Sequence, residues 1–410
     1  MKRVAVIGGG ITGVTTAYAL AKRGADVTLI ERHRYAAMET SYANGGQLSA
    51  SHAEVWNHKA TILNALKWMA RRDAPLLLHP WPSWHKLSWF AEFLAAMPDY
   101  ERNTIATARL AIAARAHLFA WAEQENIDFD HRRAGILHVY RDKAGFERAA
   151  GVSRLLAQAG LERRAVSLLE MRAIEPALHG DFYGGYYTDS DSTGDIHKFT
   201  SGLADACARL GVACRYGAQV TALAREHGQV RISVGESVGE DSGVFDAVVI
   251  CAGTASRAMA AMLGDHVNVY PVKGYSITVQ LDDAASRAGA PQVSLLDDAT
   301  KLVSSRLGED RLRVAGTAEF NGVNDDIRAD RIRPLLQWVQ QCFPEVNTRK
   351  VIPWAGLRPM LPAMLPKVGP GKAPGVYYNT GHGHLGWTLA AATAEMVAMM
   401  VDKAVDKAGA

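Results

Sequence analysis

The stretch from Lys2 to Glu31 constrains this chain more than any other. Val4-Ala5-Val6-Ile7 is a short apolar run, and Gly8-Gly9-Gly10-Ile11-Thr12-Gly13 follows it directly. Val14, Ala17, Tyr18, Leu20 and Ala21 then recur at helical spacing, Gly24 breaks the helix, and Val27-Thr28-Leu29-Ile30 reads as a second strand closed by Glu31. Gly8, Gly10 and Gly13 fit G-x-G-x-x-G in a strand–turn–helix context. Gly8 permits the sharp turn, Gly10 lets the backbone approach a pyrophosphate, and Gly13 lets the helix pack closely on the strand. The first helical N–H groups, from Ile11 and Thr12 onward, face the phosphates with the positive end of the helix dipole. Glu31, with Arg32 beside it, stands about 20 residues on, where an acid accepts hydrogen bonds from ribose hydroxyls and disfavours a 2′-phosphate. The unit predicts nucleotide binding; alone it does not separate FAD from NAD.

At 410 residues the chain is too long for one compact core, so two domains are expected. A formal net charge of +3 and the lack of a basic block argue against a nucleic-acid partner. The four cysteines, Cys207, Cys214, Cys251 and Cys342, form no C-x-x-C. That spacing argues against a metal site and suits a reducing, cytoplasmic compartment. Leu385 to Val401 comes nearest to a spanning segment but carries Thr388, Thr393 and Glu395, which predicts a soluble or peripheral protein.

Further along, the polar loop Glu39 to Ser49 holds Ser41, Asn44, Gly45, Gly46, Gln47 and Leu48, donors and small residues suited to lying against a ligand. Residues 52–100 hold five of the nine tryptophans, Trp56, Trp68, Trp81, Trp84 and Trp89, with Lys67, Arg71, Arg72 and Lys86. Two readings stay open for this stretch: an insert packed on the protein's own surface, or contact with a membrane interface, where Trp beside Lys/Arg is favoured. Helices are expected at 103–126, 145–160, about 196–209 and 327–342. Strands are expected at 135–140 and 184–188, at 220–223, 230–234 and 248–253 forming a small sheet, and at 271–279, 302–305 and 312–317 in antiparallel succession. Ala252-Gly253 ends a buried strand with small residues, and Thr380 to Thr388 is a second glycine-rich turn into a helix, a second anion-binding end. His197, at a helix start, reads as structural.

Three hooks thus stand near residues 8, 253 and 381. Together they resemble the D-amino acid oxidase superfamily, and most closely its bacterial D-amino acid dehydrogenase small-subunit family. The stretches that carry the resemblance are Glu39 to Gln47, Pro271-Val272-Lys273-Gly274-Tyr275-Ser276 and Asn379 to Thr388, with Lys67-Trp68-Met69, Ala74-Pro75-Leu76 and Thr193-Gly194-Asp195. The resemblance implies an α/β fold: a Rossmann-like FAD-binding domain with an interleaved α+β substrate domain built on an antiparallel sheet. The expected division is 1–50, 185–262 and 351–410 for FAD, and 51–184 and 263–350 for substrate.

The resemblance also implies site roles. Gly8, Gly10, Gly13 and Glu31 would hold the ADP half of FAD, and Val220 would present backbone to adenine. Ser41, Asn44, Gly45, Gly46 and Gln47 would follow the pyrophosphate and flavin edge. Gly381, His382, Gly383, His384, Leu385, Gly386, Trp387 and Thr388 would meet the flavin's pyrimidine side. Arg358 matches the family's substrate-carboxylate arginine, since a planar guanidinium grips a carboxylate with two parallel bonds. His384 is a further pocket candidate. Two departures stand out. Leu361-Pro362-Ala363-Met364 replaces an acid-bearing stretch and offers no cysteine for attachment, so FAD is expected to be non-covalent. Lys301-Leu302-Val303 stands where oxidases often place a tyrosine, leaving Tyr275 as the candidate for that role.

The expected activity is oxidation of a D-amino acid by hydride transfer to flavin, with electrons passing to a quinone or other respiratory acceptor and the protein cytoplasmic or peripheral on the inner membrane face. Three alternatives stay open: a D-proline, hydroxy-D-proline or glycine/sarcosine-type oxidase, an NAD-dependent dehydrogenase, and a non-enzymatic flavin-binding electron-transfer subunit.

Overall fold

The computed structural model describes residues 2–59, 61–62, 74–235 and 241–406. The N-terminal unit forms as its pattern predicts: strand Arg3–Ile7, helix Ile11–Lys22 and strand Asp26–Ile30. The two strands run parallel in a six-stranded sheet ordered Lys367–Pro370, Val376–Thr380, Ala247–Ile250, Arg3–Ile7, Asp26–Ile30, Ala213–Arg215. Side chains alternate across it. Val4 and Val6 face a helical layer of Ile11–Lys22, Tyr100–Gln124, Ile196–Arg209 and Gly386–Asp406. Ala5 and Ile7 face a three-stranded sheet, Val220–Glu226, Gln229–Val234 and Asp241–Phe245. Both faces are covered, so each Val or Ile contributes about 1.5–3 kcal/mol on burial.

The second sheet has nine strands. Its order is Val351–Met360, Tyr270–Gln280, Arg311–Phe320, Leu302–Leu307, Ser294–Asp297, Ile136–Tyr140, Gly184–Thr188, Arg164–Val166, with Leu76–Leu78 also pairing Arg311–Phe320. Most neighbours are antiparallel, as expected. Ser294–Asp297 pairs Ile136–Tyr140 in parallel, and so does Leu76–Leu78 with its partner, because long connections separate those strands in sequence.

Three expectations change. Ala247–Ile250 is a central strand of the parallel sheet, not of the small sheet; a run buried on both faces belongs there. The small sheet takes Asp241–Phe245 instead. Val351–Met360 was not expected as a strand and joins the nine-stranded sheet, so the chain returns to the six-stranded sheet after Met360 rather than at 351. Its Pro353 and Pro359 hid it, and an edge strand tolerates both. Gly184–Thr188 likewise belongs to the large sheet, which moves the expected boundary at 185 past Thr188.

The tryptophan-rich stretch divides. Trp89 is buried and its indole N–H donates to the Met360 carbonyl at 2.9 Å. Trp81 and Trp84 are 75% and 82% exposed. Trp68, with Lys67, Met69, Arg71 and Arg72, lies outside the described residues. Among the described residues, no helix is long and apolar enough to cross a membrane.

Candidate active site

One cavity of about 640 Å³ runs between the two large sheets. Every candidate site residue named from the sequence touches it except Gly13 and Leu48. Gly13 instead packs against the Gly8 carbonyl, so closely that a β-carbon there would overlap it. Gly8 has φ 109°, and a β-carbon on it would lie 2.6 Å from the Cys251 carbonyl oxygen. Leu48 points into the helical core.

At the glycine end, Gly10 is the N-cap of helix Ile11–Lys22 and no side chain caps it on its own. The Ser41 hydroxyl accepts from the Ile11 N–H at 3.0 Å, tying the polar loop to this turn. The Glu31 carboxylate accepts from the N–H of Gly9 at 2.5 Å and of His33 at 2.8 Å, which fixes it on the cavity wall. Arg32 is ion-paired with Glu39. Val220, Ala252 and Gly253 line the same end.

The polar loop is stitched to the nine-stranded sheet. Ser276 donates to the Ala43 carbonyl at 2.7 Å and Ser305 to the Gly45 carbonyl at 2.7 Å. Arg313 reaches the Asn44 carbonyl at 3.1 Å and the Thr278 hydroxyl at 2.7 Å; burial lowers its pKa to about 10. Asn44 Oδ1 accepts from Gly46 N at 2.9 Å, closing a tight turn. Gln47 donates to Ser294 and Leu295, while its buried Oε1 has no partner and is left for a ligand donor. Thr388 Oγ1 accepts from Ser49 N at 3.2 Å, joining this loop to the second glycine turn.

That second turn presents mainly backbone. His382 is directed away from the cavity, hydrogen-bonded to Thr393 at 3.0 Å, with its pKa lowered to about 3 by burial. Trp387 packs on Phe199 and Phe129, and Leu385 in an alanine-rich cluster. His384 alone turns a functional ring into the pocket. It stacks on Trp56 with ring centroids 5.0 Å apart and lies 4.9 Å from His52. Neither of its ring nitrogens makes a well-formed hydrogen bond. Burial, then the His52 and Arg358 charges, push its pKa well below the usual histidine range. His52 is lowered to about 3, mainly by burial and then by Lys301, Arg163 and Arg358. Both rings are neutral.

Arg358 lies across Gly274, where a β-carbon would collide with its guanidinium. It donates through Nη1 to the Thr317 carbonyl at 2.8 Å and, among the described residues, has no carboxylate partner. Burial lowers its pKa to about 10, so it stays cationic. A part-buried guanidinium without a carboxylate partner among the described residues, opening onto a cavity, has the chemistry to receive a carboxylate. Tyr275 borders the same cavity in a different way. It alternates onto the opposite face from Arg358, and its hydroxyl donates to the Glu319 carboxylate at 2.9 Å. That hydroxyl is engaged with Glu319 on the face away from Arg358.

Sequence reasoning missed His52 and Trp56. Their signal was there: in Ser51 to His58, Ser51, Ala53, Val55 and Asn57 are buried while His52, Glu54, Trp56 and His58 face the cavity. Asp191 was missed as well. It is 1% exposed, ion-paired with Arg115, and accepts from the N–H groups of Ala50 and Ser51 at 3.1 Å each, holding the segment that carries His52.

The residues fit FAD. Two glycine turns at the same edge of the parallel sheet, both opening onto the cavity, a helix start whose N-cap Gly10 carries no side chain beside Glu31, and an orphaned Gln47 acceptor suit a dinucleotide.

Comparison with known proteins agrees. The FAD dependent oxidoreductase family model, DAO, matches residues 3–400. D-amino acid dehydrogenase 3 of Mesorhizobium japonicum is 61% identical over 401 residues, covering 98% of this chain and 97% of that protein. The D-amino acid dehydrogenase of Dechloromonas aromatica is 40% identical over 410 residues, covering 97% and 96%. Among solved structures, L-proline dehydrogenase from P. horikoshii superposes with TM-score 0.77 at 16% identity over 98% of this chain and 93% of its own. Glycine oxidase from Bacillus cereus gives 0.75 at 20% identity, over 98% of each. At those identities the two structures speak for the fold alone.

Proposed function

The chain belongs to the FAD dependent oxidoreductase family, and we propose that it is a D-amino acid dehydrogenase with non-covalently held FAD. The observation that carries this is the unpaired Arg358 guanidinium facing the cavity that the two glycine turns enclose. Whole-length relatives that bear the name D-amino acid dehydrogenase support it. FAD, when bound, accepts a hydride from the substrate α-carbon.

The chain's own groups do the rest. Arg358 binds the α-carboxylate and orients the α-carbon. Neutral His384 and His52 place no positive charge beside the substrate's amino group, which favours binding of the free amine, its proton left to solvent, so that the lone pair can drive the oxidation. The enclosed pocket excludes bulk water during that step, and water then hydrolyses the imine to a 2-oxo acid and ammonia. FAD contacts are assigned to the residues lining the glycine turns and the Ser41 to Gln47 loop, and substrate contacts to the cavity face of the nine-stranded sheet.

Electrons leave to a quinone or other respiratory acceptor, with the protein peripheral on the inner face of the cytoplasmic membrane. Exposed Trp81, Trp84 and Leu87 on one small region support membrane contact.

The test is anaerobic bleaching of the purified yellow protein by a panel of D- and L-amino acids, glycine and sarcosine. Reduction by D-amino acids, with little hydrogen peroxide in air and fast turnover with a soluble quinone, is the expected result. Bleaching only by glycine, sarcosine or L-amino acids, or by nothing, overturns it.

A further inference from the structure

The strand Arg311–Phe320 does not pair regularly with Tyr270–Gln280. Lys273 stands opposite Glu319 and Tyr275 opposite Gly316, so two steps on one strand face three on the other. That is a β-bulge, a device that re-aims a group locally. Thr317 sits inside it at φ 59°, a left-handed conformation that a β-branched residue avoids unless its surroundings impose it. The result is that the Thr317 carbonyl turns out of the ladder and accepts from Arg358 Nη1 at 2.8 Å. Arg358 reaches it from the neighbouring edge strand by crossing Gly274. The bulge therefore supplies a protein acceptor that fixes the guanidinium.

Something must hold the bulge, and the opposite face of the sheet shows what does. Glu319, the second residue beyond Thr317, is fully buried. Its carboxylate accepts from the Tyr275 hydroxyl at 2.9 Å and from Asn321 Nδ2 at 3.2 Å. Lys273 Nζ lies 3.8 Å from it and Arg331 Nε 3.9 Å. Lys273 also donates to the Asp326 carbonyl at 3.1 Å and lies 5.2 Å from the Tyr275 ring centroid. Lys273 and Tyr275 are the two residues that flank the slip in register. Both are thus clamped to the same carboxylate across it. Shifting the strand by one residue would strip a buried anion of its partners, so the clamp locks the register.

We propose that Glu319, with Tyr275 and Lys273, is a positioning cluster for substrate binding: from the back of the sheet it holds the bulge that aims Thr317 at Arg358, and so sets how the guanidinium meets a carboxylate. This rests on Arg358 being the carboxylate receptor. It also gives Tyr275 a purpose other than chemistry.

The experiment compares holoenzymes of Tyr275→Phe and Glu319→Gln with wild type. Three quantities are read: KM and kcat for the D-amino acid that bleaches wild type fastest, the Kd of benzoate from perturbation of the flavin spectrum, and the flavin content. Tyr275→Phe removes one hydroxyl and no charge, and is expected to keep its flavin. It should raise KM and benzoate Kd together, about five- to tenfold, with kcat within twofold. Glu319→Gln should raise both further where it folds. KM and benzoate Kd within twofold of wild type in a flavin-replete Tyr275→Phe protein overturn the proposal, and so does a fall in kcat with neither constant moved. If no amino acid reduces wild type, the activity reading fails on its own, while benzoate still reports the Arg358 grip.

Discussion

The His384 imidazole lies nearly parallel to the Trp56 indole, with centroids 5.0 Å apart and planes 22° from each other. The indole seals one face of a ring that burial keeps unprotonated well below the usual histidine range. Replacing Trp56 with alanine admits water and lifts that desolvation, so the His384 pKa rises towards 6.5. A protonated His384 would place a positive charge beside the substrate's amino group and weaken its binding. The acidic limb of kcat/KM should therefore move to higher pH in Trp56→Ala. An unmoved limb would exclude His384 from the surroundings of the amino group.

Among the described residues, Arg358 makes one hydrogen bond to protein, and it lines the cavity. Truncating one member of a buried charge pair typically costs about 2–5 kcal/mol, or roughly 30-fold to a few thousand-fold in binding. Arg358→Ala should raise KM for the D-amino acid within that range and leave flavin content unchanged. Arg358→Lys should recover only part, because an ammonium cannot form the two parallel bonds. Unchanged steady-state constants in Arg358→Ala would remove this residue from substrate binding.

These two residues show what was legible beforehand. Arg358 and the glycine turns were readable because their chemistry depends on residue type at fixed local spacing. Strands of the parallel sheet were readable because burial on both faces leaves unbroken apolar runs. The face of the strand that Tyr275 occupies is not legible from its sequence neighbourhood, because a shift of one residue exchanges the faces. Val351–Met360 was missed because prolines mask an edge strand. The packing of the side chains in the second glycine turn is not legible either: the His382 ring bonds Thr393 and the Trp387 ring packs on Phe199, although both residues line the cavity. The bulge at Thr317 and the Asp191 clasp arise from contacts between segments far apart in sequence, and no local pattern encodes them.

Acid should destabilise the fold through its buried neutral histidines. His138 and His382 are 3% and 4% exposed, and burial lowers His382 to about 3 and His138 well below 6.5. In the unfolded chain both return to about 6.5. The unfolded state therefore binds more protons below that value. Stability is fully present above about pH 6.5 and is lost as pH falls towards the folded values, by up to about 1.4 kcal/mol per unit for each histidine. Unfolding of the flavin-free protein in urea at pH 7.5, 6.0 and 5.0 measures this slope. His382→Gln keeps a hydrogen-bonding group beside Thr393 but cannot titrate, so its slope should be shallower. Equal slopes in variant and wild type would mean that His382 is already charged in the folded state.

The exposed tryptophans pose a different question, since a soluble protein gains nothing from two indoles in water. Trp81 and Trp84 flank the start of helix Trp84–Ala95, whose other side is anchored by Trp89 in the core beside Met360. Ser83 caps that helix by accepting from Lys86 N, and the Lys86 ammonium is spent on the His79 and Trp81 carbonyls. The platform is thus rigid, and Trp81, Trp84 and the 53% exposed Leu87 project from it without partners among the described residues. Indoles at headgroup depth combine an apolar body with a hydrogen-bonding edge. Trp81→Ser with Trp84→Ser removes that body without touching the core or the cavity. Co-sedimentation with anionic phospholipid vesicles should fall by about tenfold or more in the double variant, and turnover with a soluble quinone should match wild type. Wild type that stays wholly in the supernatant, or a double variant that sediments equally well, would show that this surface does not meet lipid, and electrons would then have to leave through a soluble carrier.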